Sequence, residues 1–113
     1  MMKRLVANVR EAIRQELELA SKDYGKHFAS DHEAYAVIKE ELEEAIAEMD
    51  GAKQNLERFW EQVKANGTME EKLETLGALR NYCGRCAAEM IQTAAMAEKS
   101  TKMPLKRDDE KRG

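Results

Sequence analysis

Four glutamates in five residues, Glu40-Glu41-Leu42-Glu43-Glu44, are the densest group of carboxylates in the chain. On a helical wheel at about 100° per residue, Glu41, Glu44 and Glu48 lie together on one shoulder of an apolar face. Carboxylates that converge at the rim of a core repel each other unless a cation or protons intervene. Oxygen-only ligands suit Mg²⁺ or Mn²⁺, so the spacing predicts a divalent-metal site. A solvated acidic face is the alternative interpretation.

A later segment, residues 86–97, is apolar on nearly all sides except at Glu89 and Gln92. This composition predicts a helix that is surrounded by protein. A buried carboxylate is costly unless it is paired or bound to a metal. Glu89 therefore either pairs with a lysine or arginine, or completes a carboxylate cluster with Glu41 and Glu44.

Three helices are predicted to position these acids, over residues 2–20, from Ser30 to about residue 65, and from Thr68 to about residue 99. Apolar residues recur at spacings of three and four in each of them. Ser30 and Thr68 each stand three residues before a glutamate, which is the pattern of a capping box. Asn66-Gly67 predicts the turn between the second and third helices.

Glycines interrupt these predicted helices. Gly25 ends the first helix, and Gly51 permits a kink or a stop in the second. Gly77 and Gly84 weaken the third helix and mark either a break or a close approach of another helix.

The composition favours one all-α domain. The chain has 113 residues with 19 Lys+Arg and 22 Asp+Glu, only six glycines and one proline. We predict an antiparallel helical bundle of three to four helices over residues 1–100, with a flexible charged tail at residues 101–113. Helices this rich in alanine seal a core poorly alone, so we expect dimerisation to complete the bundle.

Charge and hydropathy restrict the partners. No apolar stretch approaches the roughly 20 residues that span a bilayer, so we expect no membrane partner and a cytoplasmic location. The net charge of −3 argues against nucleic acid as the main partner. A weak nucleic-acid accessory role through the basic residues of the tail stays open.

Residues 32–44 (HEAYAVIKEELEE) and 88–97 (AEMIQTAAMA) resemble the small MazG-like proteins of bacteria and their phages. These belong to the all-α nucleoside triphosphate pyrophosphatase superfamily, and the resemblance covers roughly residues 28–98. It implies a helical bundle that assembles as a homodimer or tetramer. It also implies Mg²⁺-dependent hydrolysis of a nucleoside triphosphate to the monophosphate and pyrophosphate.

The resemblance also implies site residues. The family signature Glu-Glu-x-x-Glu matches residues 40–44, which implies Glu41 and Glu44 as metal ligands. The second signature, Glu-x-x-Asp, is matched in its first position by Glu89, whereas Gln92 stands where the family has a carboxylate. The gap between the two motifs is longer than usual in the family.

Glu71 and Glu74 fit the family's spacing better than Glu89 and rank second as ligands, because they lie near a helix start. Glu40 or Glu48 is the candidate base that orients the attacking water. A wall for the nucleotide base would come from aromatic residues that otherwise pack in the core or an interface. These are Tyr35, Phe59, Trp60 and Tyr82.

Two further interpretations remain open. A non-catalytic helical interaction or scaffold protein of phage or prophage origin would keep the bundle without the chemistry, in line with Gln92 and the longer spacing. Cys83 and Cys86 form a lone Cys-x-x-Cys motif, which we interpret as two buried helical thiols because no further zinc ligands lie nearby in the sequence.

Overall fold

The computed structural model describes residues 2–24 and 27–102, without the side chains of residues 23 and 24. That part of the chain folds into three helices and no strand: α1 (Met2–Tyr24), α2 (Asp31–Lys64) and α3 (Met69–Ser100). The predicted all-α fold is therefore confirmed. Residues 101 and 102 form a turn after α3. The rest of the predicted tail, and Gly25 as the predicted end of the first helix, lie outside the described residues.

Both long helices begin at the predicted caps. The Ser30 hydroxyl accepts a hydrogen bond from the Glu33 amide at 3.1 Å, and the Glu33 carboxylate accepts one from the Ala29 amide at 3.1 Å. The Thr68 hydroxyl accepts one from the Glu71 amide at 3.1 Å. Each of these bonds satisfies an amide that has no acceptor within a regular helix.

The predicted turn between α2 and α3 is a Schellman motif. The Gly67 amide donates to the Gln62 carbonyl at 2.8 Å, and the Asn66 amide donates to the Val63 carbonyl at 3.2 Å. Asn66 has a φ of 54°, in the left-handed region that asparagine tolerates better than most residues. A short connection therefore separates the last residue of α2, Lys64, from the first of α3.

The described chain forms two compact units. The first unit contains the residues up to Leu42 together with those from Met90 onward, and the second unit is Glu43–Glu89. The first unit thus holds α1, the start of α2 and the end of α3. The second unit is the helical hairpin that is closed by the Schellman turn.

Inside the second unit, residues that are equally far from the turn 66–67 along the sequence face one another. Gly51 and Tyr82 are such a pair, and a Cβ on Gly51 would overlap the Tyr82 ring. Glu48 and Arg85 are another, and they form an ion pair of 2.9 Å. The two helices of this unit are therefore antiparallel, as a short helix–helix connection requires.

The first unit has a small core around an aromatic ring. Phe28 and Ala34 are buried, and Val37 and Met96 pack against them. The ammonium of Lys99 lies 4.2 Å from the centroid of the Phe28 ring, and only 2% of Lys99 is exposed. A lysine in the last turn of a helix is therefore the largest fully buried side chain in the described part of the protein.

The helices do not stop at Gly51 and do not break at Gly77 or Gly84. α2 continues through Gly51, and α3 continues through Gly77 and Gly84. A Cβ on Gly84 would meet nothing within 4 Å, and one on Gly77 would come no closer than 3.9 Å to another group. The close approach is at Gly51, where the absent side chain makes room for the Tyr82 ring.

Within the single chain, residues 86–97 are not covered on all sides. Ala87 and Ala88 are exposed, and Met90 is 44% exposed, although Ala95 is completely buried. An alanine presents one methyl group, so its exposure costs little, and an alanine-rich helix does not need to be covered on every side.

An ion-pair network lies on the exposed face of α1. Arg14 donates to the carboxylate of Glu11 at 2.6 Å and to that of Glu18 at 2.5 Å. The hydrogen bonds from Arg14 hold the pKa of Glu11 below its ordinary value, and the two carboxylates raise the pKa of Arg14. In the part of the chain that the structure describes, no helix is long and apolar enough to cross a membrane.

Candidate metal centre

Three of the predicted ligands come together in the structure. Glu41, Glu44 and Glu89 each offer a carboxylate oxygen within 4.8 Å of the others. We call these three residues the acid cluster. Two of its members, Glu44 and Glu89, belong to the second unit, and Glu41 precedes Glu44 by one turn of α2.

Helix geometry and hairpin register together place the acids. Residues three apart on a helix are surface neighbours, so α2 by itself brings Glu41 beside Glu44. Glu44 and Glu89 are equally far from the turn 66–67 along the sequence, as Gly51 and Tyr82 are. The antiparallel register that places the Tyr82 ring against Gly51 therefore also places Glu89 opposite Glu44.

Small side chains hold the two helices close at this level. Ala45, next to Glu44, is 1% exposed, and the Cys86 thiol donates to the Ala45 carbonyl at 3.4 Å. A thiol is a weak donor, so this contact reports proximity more than strength. The approach of α3 to the Ala45 backbone brings Glu89 within reach of α2.

The acid cluster is half-buried and opens to solvent on one side. Glu41 and Glu89 are partly buried, and the Oε2 atom of each is shielded from solvent. Glu44 is exposed. A ligand can therefore approach from the Glu44 side, while the other two carboxylates lie in a less polar environment where charge interactions are stronger.

The donor chemistry of the cluster fits a hard cation. Three carboxylates supply oxygen only, which suits Mg²⁺, Mn²⁺ or Ca²⁺. Two oxygens on one Mg²⁺ at about 2.1 Å lie at most about 4.2 Å apart. Small rotations of flexible glutamate side chains bring oxygens that lie within 4.8 Å of one another to that distance.

The two predicted bases have different surroundings. Glu48 accepts a hydrogen bond from the Arg85 guanidinium at 2.9 Å, and Arg85 also lies 4.7 Å from the centroid of the Tyr82 ring. Glu40 is exposed and lies one turn before Glu44 on α2. Arg85 thus offsets the charge of Glu48, and Glu40 is the acid adjacent to the cluster.

The remaining predicted ligands lie outside the acid cluster. Gln92 is partly buried on α3, one turn after Glu89. Its amide oxygen stays a predicted fourth ligand. Glu71 and Glu74 are both exposed in the first two turns of α3 and are not among the three acids that the structure brings together.

Two of the aromatic residues that were predicted to form a wall for the nucleotide base are exposed. Tyr35 and Trp60 are exposed, at 67% and 53%, and the Lys64 ammonium lies 5.5 Å from the Trp60 ring centroid.

The prediction of two buried thiols is wrong for Cys83, which is exposed, whereas Cys86 is partly buried. Of the two thiols, that of Cys86 contacts the Ala45 carbonyl.

Sequence reasoning missed Arg85, although a signal for it was present. Once Asn66-Gly67 is accepted as a tight turn, the antiparallel register sets Arg85 opposite Glu48.

Comparisons of the chain with protein-family models, with curated proteins and with solved structures found no match.

Proposed function

We propose that the protein binds a divalent cation, Mg²⁺ or Mn²⁺, at the acid cluster and uses it to hydrolyse a nucleoside triphosphate to the monophosphate and pyrophosphate. The single observation that supports this proposal is the convergence of Glu41, Glu44 and Glu89. The resemblance of residues 32–44 and 88–97 to MazG-like proteins supplies the reaction class.

The metal ligands have one role in this proposal. Glu41, Glu44 and Glu89 hold the ion, and the Gln92 amide oxygen is a fourth ligand. A bound divalent ion neutralises charge on the triphosphate and lowers the pKa of the attacking water.

The base has a separate role. Glu40 accepts a proton from the attacking water, because Arg85 already engages Glu48. The oxygen of the water bonds to the α-phosphorus, and pyrophosphate leaves with the electron pair of the broken bond.

Metal binding is tested first, by calorimetric titration of the full chain with Mg²⁺ and with Mn²⁺. We expect saturable binding by the wild type and at least a tenfold loss of affinity in Glu44→Gln and in Glu89→Gln. Glu43→Gln is the matched control, because it removes the same charge from the neighbouring position of α2 without touching the acid cluster. Equal affinity in all four proteins would refute a metal site at the acid cluster.

Turnover is tested separately, by pyrophosphate release from a panel of ribonucleoside and deoxyribonucleoside triphosphates with Mg²⁺ or Mn²⁺. We expect release from at least one of them, and its loss in Glu40→Gln with metal affinity retained. Metal binding without release from any triphosphate would remove the catalytic part of the proposal. The metal site would then stand alone.

A non-catalytic interaction or scaffold protein is the second candidate, and the exposed apolar side chains favour it. Many large apolar residues are at least one-third exposed within each unit. In the second unit these are Ile46, Met49, Leu56, Trp60, Val63, Met69, Leu73 and Leu76. Such a surface is typical of an interface. We propose a homodimer or tetramer, which both candidates share.

Sedimentation equilibrium measures this assembly. We expect a mass of two or four times 12.9 kDa for the wild type and a lower one for Trp60→Ser. Tyr35→Ser is the control, because it removes an exposed aromatic residue from the first unit. A monomer at all concentrations would refute self-association. A cytoplasmic location, with no membrane partner and no main nucleic-acid partner, is part of the proposal.

A further inference from the structure

A cavity of about 410 Å³ lies in the first unit, and three lysines contribute to its wall. Leu17, Ser21 and His27 supply apolar and short polar surface, and one acid and three lysines supply its charge. Ligand sites for small molecules have volumes of about 300–1,000 Å³ and combine apolar walls with a few polar groups. The cavity has this size and this composition, and none of its residues belongs to the acid cluster.

Lys99 distinguishes this cavity from a patch of surface lysines. Only 2% of the residue is exposed, yet it lines the cavity. The Phe28 ring covers one side of the ammonium at 4.2 Å. Within residues 2–22 and 27–102, no carboxylate forms an ion pair with it. An ammonium has three donors, and a contact with a ring does not replace the hydrogen bonds that burial removes.

The charge around the cavity favours an anion. Lys22, Lys99 and Lys102 bring three ammonium groups, and Glu18 is the only acid among the described residues of the wall. Arg14 engages Glu18 at 2.5 Å, so the charge of this acid is already offset. A buried lysine without a carboxylate is stabilised most by a ligand that brings a concentrated negative charge.

We infer that this cavity binds a small organic phosphate, with the phosphate group against Lys99 and the organic part toward Leu17. The volume exceeds what a bare phosphate needs, and the lysines supply charge-assisted donors for the phosphate oxygens. The inference does not depend on the proposed pyrophosphatase activity, because it uses none of the same residues.

The test is calorimetric titration of the full chain with inorganic phosphate and, separately, with ribose 5-phosphate. Ionic strength is kept constant with sodium chloride, so that general screening does not register as binding. We expect saturable binding of both, and about tenfold weaker binding in Lys99→Met. Lys53→Met is the matched control, because it removes one positive charge at an exposed position of α2. We expect this control to change the affinity less than twofold.

A second pair of variants covers the case in which Lys99→Met does not fold, as judged by circular dichroism. Lys22→Gln and Lys102→Gln change the rim of the cavity, and each is expected to weaken phosphate binding by at least threefold. Tighter binding of ribose 5-phosphate than of phosphate would support the organic part of the inference. Binding of phosphate alone would limit the site to the anion and overturn that part. No saturable binding of either compound, or equal loss in Lys99→Met and Lys53→Met, would overturn the whole inference.

Discussion

The acid cluster and the lysine-lined cavity both gather charges of one sign, but they differ in how the fold exposes them. Glu44 opens the acid cluster to solvent, whereas Lys99 is almost completely buried beside Phe28. Two of the three acids are neighbours on one helix. The cavity draws on α1, on the segment before α2 and on the end of α3. The difference teaches that the proximity of two acids on one helix can be inferred from their spacing, whereas the burial of a lysine cannot.

The largest expected effect is the stabilisation of the protein by a divalent cation, which should depend on the acid cluster and not on the cavity. At a Mg²⁺ or Mn²⁺ concentration of one hundred times the measured Kd, the wild type should gain about 2.7 kcal/mol of stability. Glu89→Gln, with its at least tenfold weaker binding, should gain about 1.4 kcal/mol or less at the same concentration, and Lys99→Met should keep the full gain. Chemical denaturation with and without metal measures this. A full gain in Glu89→Gln would erase the distinction between the two sites.

The second prediction changes the hairpin that carries Glu44 and Glu89 without altering an acid. Gly51→Ala should cost about 1–3 kcal/mol, because its Cβ overlaps the Tyr82 ring in a packed interface. Gly84→Ala is the matched control in α3. It should instead gain about 0.5–1 kcal/mol, because its Cβ meets open space and alanine favours helix. Urea denaturation of the two variants measures both signs, and equal effects would contradict the register described for the second unit.

A third prediction concerns the cavity in the absence of any anion. Lys99→Met should raise the free energy of unfolding by about 1 kcal/mol in phosphate-free buffer, because the cost of burial exceeds the gain from the ring. Burial of an unpaired ammonium costs several kcal/mol, whereas a desolvated cation–π contact supplies roughly 2 kcal/mol. Thermal denaturation in a buffer without phosphate or sulfate measures the change. A less stable variant would mean that Lys99 serves mainly to hold Phe28.

The fourth prediction concerns the ion pair that lies near the acid cluster. Arg85→Gln should cost about 0.5 kcal/mol, because Arg85 is 53% exposed and surface pairs contribute little. A double-mutant cycle with Glu48→Gln isolates the pair. A coupling energy several times larger than this expected cost would show that the pair, rather than packing around Gly51, sets the register.

The smallest effect is a pH dependence in α1, outside both sites. The pKa of Glu11 is lowered in the folded protein by Arg14. The stability that this pair contributes is present above the ordinary pKa of 4.5 and is lost as the pH falls through the lowered value. Arg14→Gln should flatten this part of a pH titration of stability below pH 5. An unchanged titration would show that the exposed pair contributes nothing measurable.

Much of the fold could be predicted because its signals are local. The caps at Ser30 and Thr68 depend on side chains three residues from the amides that they satisfy. The turn at residues 66–67 depends on the left-handed conformation of Asn66. These features need no distant partner, so the bounds of α2 and α3 follow the predicted ones within a residue or two. The apolar periodicity of α1 stops at residue 20, whereas the helix runs to Tyr24, because a helix can continue beyond its apolar face.

The candidate site could be predicted in part. Glu41 and Glu44 meet because a helix places residues three apart on one side. The cost of burying a carboxylate left two alternatives for Glu89, a basic partner or the other two acids, and the structure brings it within 4.8 Å of Glu41 and Glu44. Gln92 as a ligand and Glu40 as a base stay predictions. The position of Arg85 opposite Glu48 follows only from the register that the turn at residues 66–67 sets, because an arginine in an exposed helix position does not by itself indicate its partner.

The sequence by itself determined where α2 begins and ends and where α3 begins, since capping and turn formation are contacts between neighbours in the chain. The tertiary structure alone decided that the Tyr82 ring lies against Gly51 and that Lys99 is buried beside Phe28. Both arrangements depend on packing between segments far apart in the sequence. A local pattern predicts a solvated lysine at the end of a helix, and only the neighbours that the fold brings to it decide otherwise.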